Sequence, residues 1–367
     1  MTHTPPMTQT QTPDQNRSSS NPSVAPSDEA RVRADDRAHV FHSWSAQAHI
    51  DPMPIASASG SHFTDYSGKR YLDFSSQLVN VNIGHRHPKV VAAIQAQADV
   101  LPTIAPSVAN LDRGRAARAI VGHAPAGMAK VFFTNGGADA NENAIRLARL
   151  HTGRDKVLST YRSYHGNTGA AIVATGDWRR IPNEFARGHV HFFGPYLYRS
   201  EFWATTPEQE SERALHHLER VIQAEGAGSI AAILLETVVG TAGVLVPPPG
   251  YLPGVRALAD RYGIILILDE VMAGFGRAGT WFAFEMASIE ASIEAMEVEG
   301  IVANAARIGT DVLAPGLADL ADRHPLIGEV RGLGVFWALE LVADRTTREP
   351  VPAAVMGQLK GELMARP

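Results

Sequence analysis

Three short stretches carry residues whose types and spacing can do chemistry. The first is Thr134-Asn-Gly-Gly-Ala-Asp-Ala-Asn-Glu142, in which two glycines lead into a helix start. Backbone N–H groups at a helix N-terminus form an anion site, and glycine lets a ligand approach closely. A phosphate is the natural guest, although a tight strand-to-helix turn would have the same text. The second is Tyr161-Arg-Ser-Tyr-His-Gly166. Tyr164 can stack on a flat ring, or simply pack within a loop. The third is Leu268-Asp-Glu-Val271. Asp269 can hold a protonated pyridine nitrogen through a charge-assisted hydrogen bond. A helix cap or a structural ion pair would use it as well.

The elements around these stretches alternate. Apolar spacing predicts short strands at Lys130–Thr134, Lys156–Thr160, Ala170–Ala174, Ile230–Leu235 and Ile264–Leu268, with helices at Ala138–His151, Glu210–Ala224 and Leu252–Tyr262. Short apolar strands between helices indicate a parallel sheet covered on both faces, with ligands at the strands' carboxyl ends. Before this block, Ser61–Phe74 reads as two short strands around a turn at Ser67-Gly68, and Pro88–Val100 and Asn110–Val121 read as helices. After Glu285 the alternation stops. Met286–Ile308 reads as one helix with Ile289, Ile293 and Met296 on a stripe, Arg331–Leu341 as one strand, and the last residues as a helix.

Composition bounds the function. The 367 residues suffice for two domains, and a net charge of −5 does not suggest nucleic acid as a partner. No apolar run reaches the length of a membrane helix, and residues 1–35 lack the apolar stretch of a signal peptide and read as a disordered tail, so the location expected is cytoplasmic. Cysteine is absent. The histidine pairs His85-x-His87 and His189-x-His191 read as loop and strand residues, with no H-E-x-x-H to suggest a metal. Gly274-Phe-Gly-Arg-Ala-Gly279 matches the dinucleotide pattern G-x-G-x-x-G, but no helix is predicted to open after it. Leu266–Glu270 resembles the acidic strand of P-loop ATPases, but the phosphate loop is lacking.

Taken together, the chain resembles the class III aminotransferases, which use pyridoxal 5'-phosphate on fold type I. The resemblance rests on Gly68-Lys-Arg-Tyr-Leu-Asp-Phe74, Asn82-Ile-Gly-His-Arg-His-Pro88, Phe133-Thr-Asn-Gly-Gly-Ala138, Tyr164-His-Gly166, Glu236-Thr-Val-Val-Gly240, Leu268-Asp-Glu-Val-Met-Ala-Gly-Phe-Gly-Arg277 and Arg331-Gly-Leu-Gly334. Trp44-Ser-Ala-Gln-Ala48 and Phe74-Ser-Ser-Gln-Leu78 look closest to branches that pair small ω-amino donors, such as taurine or β-alanine, with pyruvate. The resemblance implies an α/β fold: a three-layer large domain with a mostly parallel sheet over 96–300, and a small α+β domain from both chain ends, 36–95 and 301–367. It implies a homodimer, an amine donor and a 2-oxo acid acceptor. Gly136, Gly137 and Ala138 would bind the cofactor phosphate. Tyr164 would stack on the pyridine ring, with His165 beside it. Asp269 would pair with the pyridine nitrogen, Val271 would pack on the opposite face, and Glu236 would lie beside the ring in the substrate pocket.

The same resemblance exposes a gap. In this family a further sheet segment follows the Gly-Phe-Gly-Arg loop and carries the Schiff-base lysine, then a threonine that reaches the neighbouring subunit's phosphate. Here Trp281-Phe-Ala-Phe-Glu285 passes straight to Ala291-Ser-Ile-Glu-Ala-Met-Glu297. The lysines are Lys69, Lys89, Lys130, Lys156 and Lys360, so none lies between 156 and 360. The early end also removes the family's usual substrate-carboxylate arginine, for which Arg331 is a poor replacement. Two readings follow: a family member inactivated by an internal deletion, with an incomplete sheet and a compromised dimer interface, or a non-catalytic protein that binds pyridoxal phosphate weakly or pairs with an intact paralogue.

Overall fold

The structure is a computed structural model that describes residues 28–184, 186–287 and 301–365. Contacts among the described residues form two units, residues 28–76 with 84–92, and 77–83 with 93–365.

The first unit contains helix α1 (Asp28–His39) and strands β1 (Ile55–Ser59), β2 (His62–Asp65) and β3 (Arg70–Leu72) in one antiparallel sheet. The expected turn at Ser67-Gly68 joins β2 to β3, where Asp65 Oδ1 accepts from the backbone of Ser67 and Lys69. Helix α1 opens inside the stretch read as a tail, and residues 1–27 lie outside the described residues. The chain enters the second unit at 77–83, returns, and crosses again within α2 (Pro88–Val100).

The second unit holds helices α3 (Leu111–Val121) and α4 (Gly137–Thr152), strand β4 (Lys156–Thr160), helix α5 (Gly169–Ala174), strand β5 (His189–Phe192), helix α6 (Pro207–Glu225), strand β6 (Ile230–Glu236), helix α7 (Tyr251–Tyr262) and strand β7 (Ile265–Asp269). The four strands form one parallel sheet in the order β5-β4-β6-β7. Side chains alternate between its faces. Leu158, Ile233 and Leu235 pack with Leu218, Ile222 and Val255 of α6 and α7. Val157, Ala232 and Leu234 pack with Ile145 and Ala148 of α4 and Ala174 of α5. Every residue of β6 is buried, because both its faces and both its edges are covered. Burying such a Leu or Ile fully contributes about 1.5–3 kcal/mol. The expected α/β class with a parallel sheet is therefore what the chain adopts. The direction of winding reverses between β4 and β6, so a crevice opens there at the carboxyl ends of the strands.

Beyond residue 300 the unit continues with α8 (Ile301–Ile308), a π turn at Gly309–Leu313, α9 (Ala314–Arg323), an antiparallel sheet of β8 (Ile327–Leu333), β9 (Phe336–Asp344) and β10 (Glu349–Pro350), and α10 (Ala353–Ala365).

Four local expectations are corrected. Ala170–Ala174 is helical, because Thr168 Oγ1 and the backbone N–H groups of Ala170 and Ala171 all donate to Glu142 Oε1, which caps α5. A short apolar run alone cannot separate buried helix from buried strand. Lys130–Thr134 is not a strand, since none of the described strands pairs with it. The run Arg331–Leu341 is two strands, joined at Gly334-Val335 with Leu333 opposite Phe336. Gly334 sits there at φ +51°, where an added Cβ would lie 2.6 Å from the Ala278 carbonyl carbon. Of the helix expected over Met286–Ile308, Ile301–Ile308 is helical, Ala283–Ala287 is a 3-10 turn, and 288–300, with the stripe of Ile289, Ile293 and Met296, lies outside the described residues.

Candidate cofactor site

The three motifs come from separate elements and meet at one end of the sheet. Backbone approach draws them together. An added Cβ on Gly137 would lie 2.7 Å from Val271 Cγ2, and one on Gly166 would lie 2.5 Å from Ala138 Cβ. The start of α4 is thus wedged between the loop after β4 and the loop after β7. Gly136 is the N-cap of α4 and contributes no side-chain cap, so the first-turn N–H groups have no hydroxyl or carboxylate from that position. The glycines and Ala138 therefore form an anion-accepting helix start.

Asp269 ends β7 and is buried. His165 Nδ1 donates to its Oδ2 at 2.9 Å, and Asn141 Nδ2 donates to the same oxygen at 2.8 Å. The Val271 backbone N–H donates to Oδ1 at 3.0 Å. The imidazole of His165 is wholly buried, and its Nε2 has no partner among the described residues. Val271 itself is 62 % exposed apart from its contact with Gly137.

Glu236 ends β6 and stands in register with Asp269. Its Oε1 accepts from the Tyr164 backbone N–H and its Oε2 from the Gly240 N–H, both at 2.8 Å. Burial, which penalises the charged form, raises its pKa from 4.5 to about 7 despite these donors. The next carboxylate, Glu270, plays another part. It accepts from the backbone of Ala283 and Phe284 at 2.8 and 3.0 Å and so holds that turn.

Tyr164 is half-buried at the crevice, with the Arg179 guanidinium 4.0 Å from its ring centroid. Asp177 grips that guanidinium, with Nε to Oδ2 at 2.9 Å. One face of the tyrosine is therefore covered by a cation.

Every site residue read from the sequence, Gly136, Gly137, Ala138, Tyr164, His165, Glu236, Asp269 and Val271, falls on these adjoining strand ends and loops. Two further participants, Asn141 and Arg179, escape the sequence reading. Asn141 carried a signal: a polar residue on the α4 stripe that continues with Ile145 and Ala148. Arg179 carried none, because its approach to Tyr164 depends on how the loop folds back. The arrangement offers an anion site, a buried carboxylate held by two side-chain donors, and a flat aromatic. No lysine is among these contacts. Lys156 is at the opposite end of β4, with Nζ on Glu225 Oε2 at 2.7 Å. Arg331 is held by Glu329 Oε2 at 2.6 Å and Glu340 Oε2 at 2.8 Å of its own sheet, and its Nε donates to the Gly243 carbonyl in the loop after β6.

The sequence profile of the family described as Aminotransferase class-III matches residues 44–293. The taurine–pyruvate aminotransferase of Rhodobacter capsulatus is 32% identical, over 90% of this chain and 86% of its own. The hypotaurine/taurine–pyruvate aminotransferase of Paracoccus denitrificans is 31% identical, over 89% of this chain and 85% of its own. Among solved structures, taurine:2-oxoglutarate aminotransferase from Bifidobacterium kashiwanohense, in complex with PLP and glutamate, superposes with a TM-score of 0.86 at 36% identity, covering 92% of this chain and 89% of that one. An (S)-enantioselective omega-transaminase from Thermomicrobium roseum gives 0.82 at 29% identity, covering 89% and 87%.

Proposed function

The chain belongs to the class III aminotransferases, and we propose that its crevice binds pyridoxal phosphate without a covalent anchor, so that the chain keeps the family's cofactor site and has lost its turnover. The cofactor's ring supplies an electron sink when its pyridine nitrogen is protonated. The observation that carries the reading is Asp269, buried at the end of β7 and fixed by His165 and Asn141, ready to accept one more donor. Around it, the α4 start at Gly136–Ala138 would receive the phosphate. Tyr164 would cover one ring face and Val271 the other. Glu236, with a pKa near 7, can hold or release a proton beside the ring at neutral pH.

Loss of turnover is supported by the lysine positions and by the length of the match to a relative. The comparison with the Rhodobacter capsulatus enzyme runs over 399 positions although 90% of this 367-residue chain takes part. Several tens of the relative's positions therefore have no counterpart here. A missing base costs the step it serves about 10²–10⁴-fold. The relatives' names point to taurine-like amines and 2-oxo acids as the ligands that the ancestral pocket accepted.

The test is binding of pyridoxal phosphate to the full chain, followed by borohydride reduction and intact mass. We expect saturable binding that Asp269→Ala abolishes, no stoichiometric phosphopyridoxyl adduct, and no taurine-to-pyruvate transfer. A single-lysine adduct with turnover would overturn the loss of catalysis, and equal binding by Asp269→Ala would overturn the site.

A further inference from the structure

We propose that Asn141 is a positioning residue for Asp269 that selects which carboxylate oxygen meets the ligand. This rests on the cofactor reading above and adds a residue that neither the motifs nor the relatives' names assign. Asn141 lies on the inward face of α4, four residues before Ile145 and seven before Ala148, both in the core. An amide on such a face is costly unless its hydrogens are partnered. Both Nδ2 hydrogens have acceptors: the His165 carbonyl at 2.8 Å and Asp269 Oδ2 at 2.8 Å.

The count of acceptor sites then becomes informative. A carboxylate oxygen has two lone-pair positions. Asn141 and His165 Nδ1 fill those of Oδ2, whereas Oδ1 receives, among the described residues, the Val271 N–H alone. The remaining position is on Oδ1. A pyridinium N–H is one donor and finds one acceptor. Asn141 also ties the His165 carbonyl to Asp269, so one amide locks the loop after β4 and the end of β7 into a single geometry. Packing alone would be served by leucine at this position.

The experiment uses the full chain and pyridoxal phosphate labelled with ¹⁵N in the ring. Asn141→Leu, close in size and without donors, is expected to weaken cofactor binding about ten- to a hundredfold. It is also expected to move the ring ¹⁵N resonance toward that of an unprotonated pyridine. Asn141→Ala, which removes both donors without adding apolar bulk or charge, guards against a folding failure of the leucine variant and should do the same. Ile145→Ala removes packing from the same helix face; it should lower the melting temperature and leave the ¹⁵N resonance in place. Asn141 variants with wild-type affinity and resonance would overturn the proposal, as would an equal resonance shift in Ile145→Ala. Failure of the unsubstituted chain to bind would refute the cofactor reading instead. In that case the cofactor-free His165 Nδ1–H signal decides: slow exchange that is lost in Asn141→Leu supports positioning, and slow exchange that persists overturns it.

Discussion

Glu236 and Asp269 stand opposite each other in register at the ends of adjacent parallel strands, yet their carboxylates are held in different ways. Asp269 is bound by side chains, Asn141 and His165, while Glu236 is bound by backbone N–H groups of Tyr164 and Gly240. Burial raises the Glu236 pKa from 4.5 to about 7. Between those values the folded chain holds a proton that the unfolded chain has released, so this group's contribution to stability falls as pH rises. Glu236→Gln removes that titration. Urea midpoints should favour the variant at about pH 8 relative to about pH 5, by a difference on the order of 3 kcal/mol at most. A difference independent of pH would contradict the assignment.

His189 should produce the opposite slope. Burial first, and then the Arg149 guanidinium, lowers its pKa from 6.5 to about 4. Between these values the unfolded chain takes up a proton that the folded chain refuses, so stability falls as pH falls. The two windows overlap, and the two contributions oppose each other where they do. His189→Gln, which can still accept from Arg149, should reduce the acid-side loss and steepen the falling limb to which Glu236 contributes. An unchanged profile in that variant would place the titration elsewhere.

The two close backbone approaches at the site predict unequal costs. At Gly166, φ is +131° and an added Cβ meets Ala138 Cβ at 2.5 Å and Ala138 Cα at 2.7 Å. Backbone cannot swing aside, so Gly166→Ala should cost about 3 kcal/mol or more and abolish cofactor binding. At Gly137 the obstacle is the end of the exposed Val271 side chain, which can rotate. Gly137→Ala should therefore cost under about 1 kcal/mol, within the range of a mild substitution. Thermal melts of the two variants check the order, and equal losses would contradict it.

Strand β7 pairs with β6 alone among the described strands, so its other edge has no strand neighbour among the described residues. Near the same motifs in sequence, Phe132 and Phe133 are 66% and 44% exposed. An open apolar edge and exposed aromatics favour self-association. The chain should scatter light at micromolar concentration, and the double substitution Phe132→Ser, Phe133→Ser should reduce the scattering. A monodisperse wild-type chain with one sharp cooperative melt would refute this.

Much of the site was legible in the sequence because its chemistry is local. A Gly-Gly helix start, an aromatic loop and a carboxylate at a strand end each declare a function within a few residues, and their order along the chain specifies the family. The lysine count is likewise a property of the sequence alone. The corrections came where the outcome depends on a distant partner. Ala170–Ala174 became helix because Glu142 caps it. Lys130–Thr134 has strand composition, but a strand exists only with a neighbour to share its hydrogen bonds. Asn141 shows in the sequence only as a polar residue on an apolar stripe, and its role is set when the fold brings Asp269 and His165 within reach of its amide. Residue types determined what chemistry the chain could offer. Tertiary structure decided which groups meet, because hydrogen bonds and buried charge act over a few ångströms between positions more than a hundred residues apart.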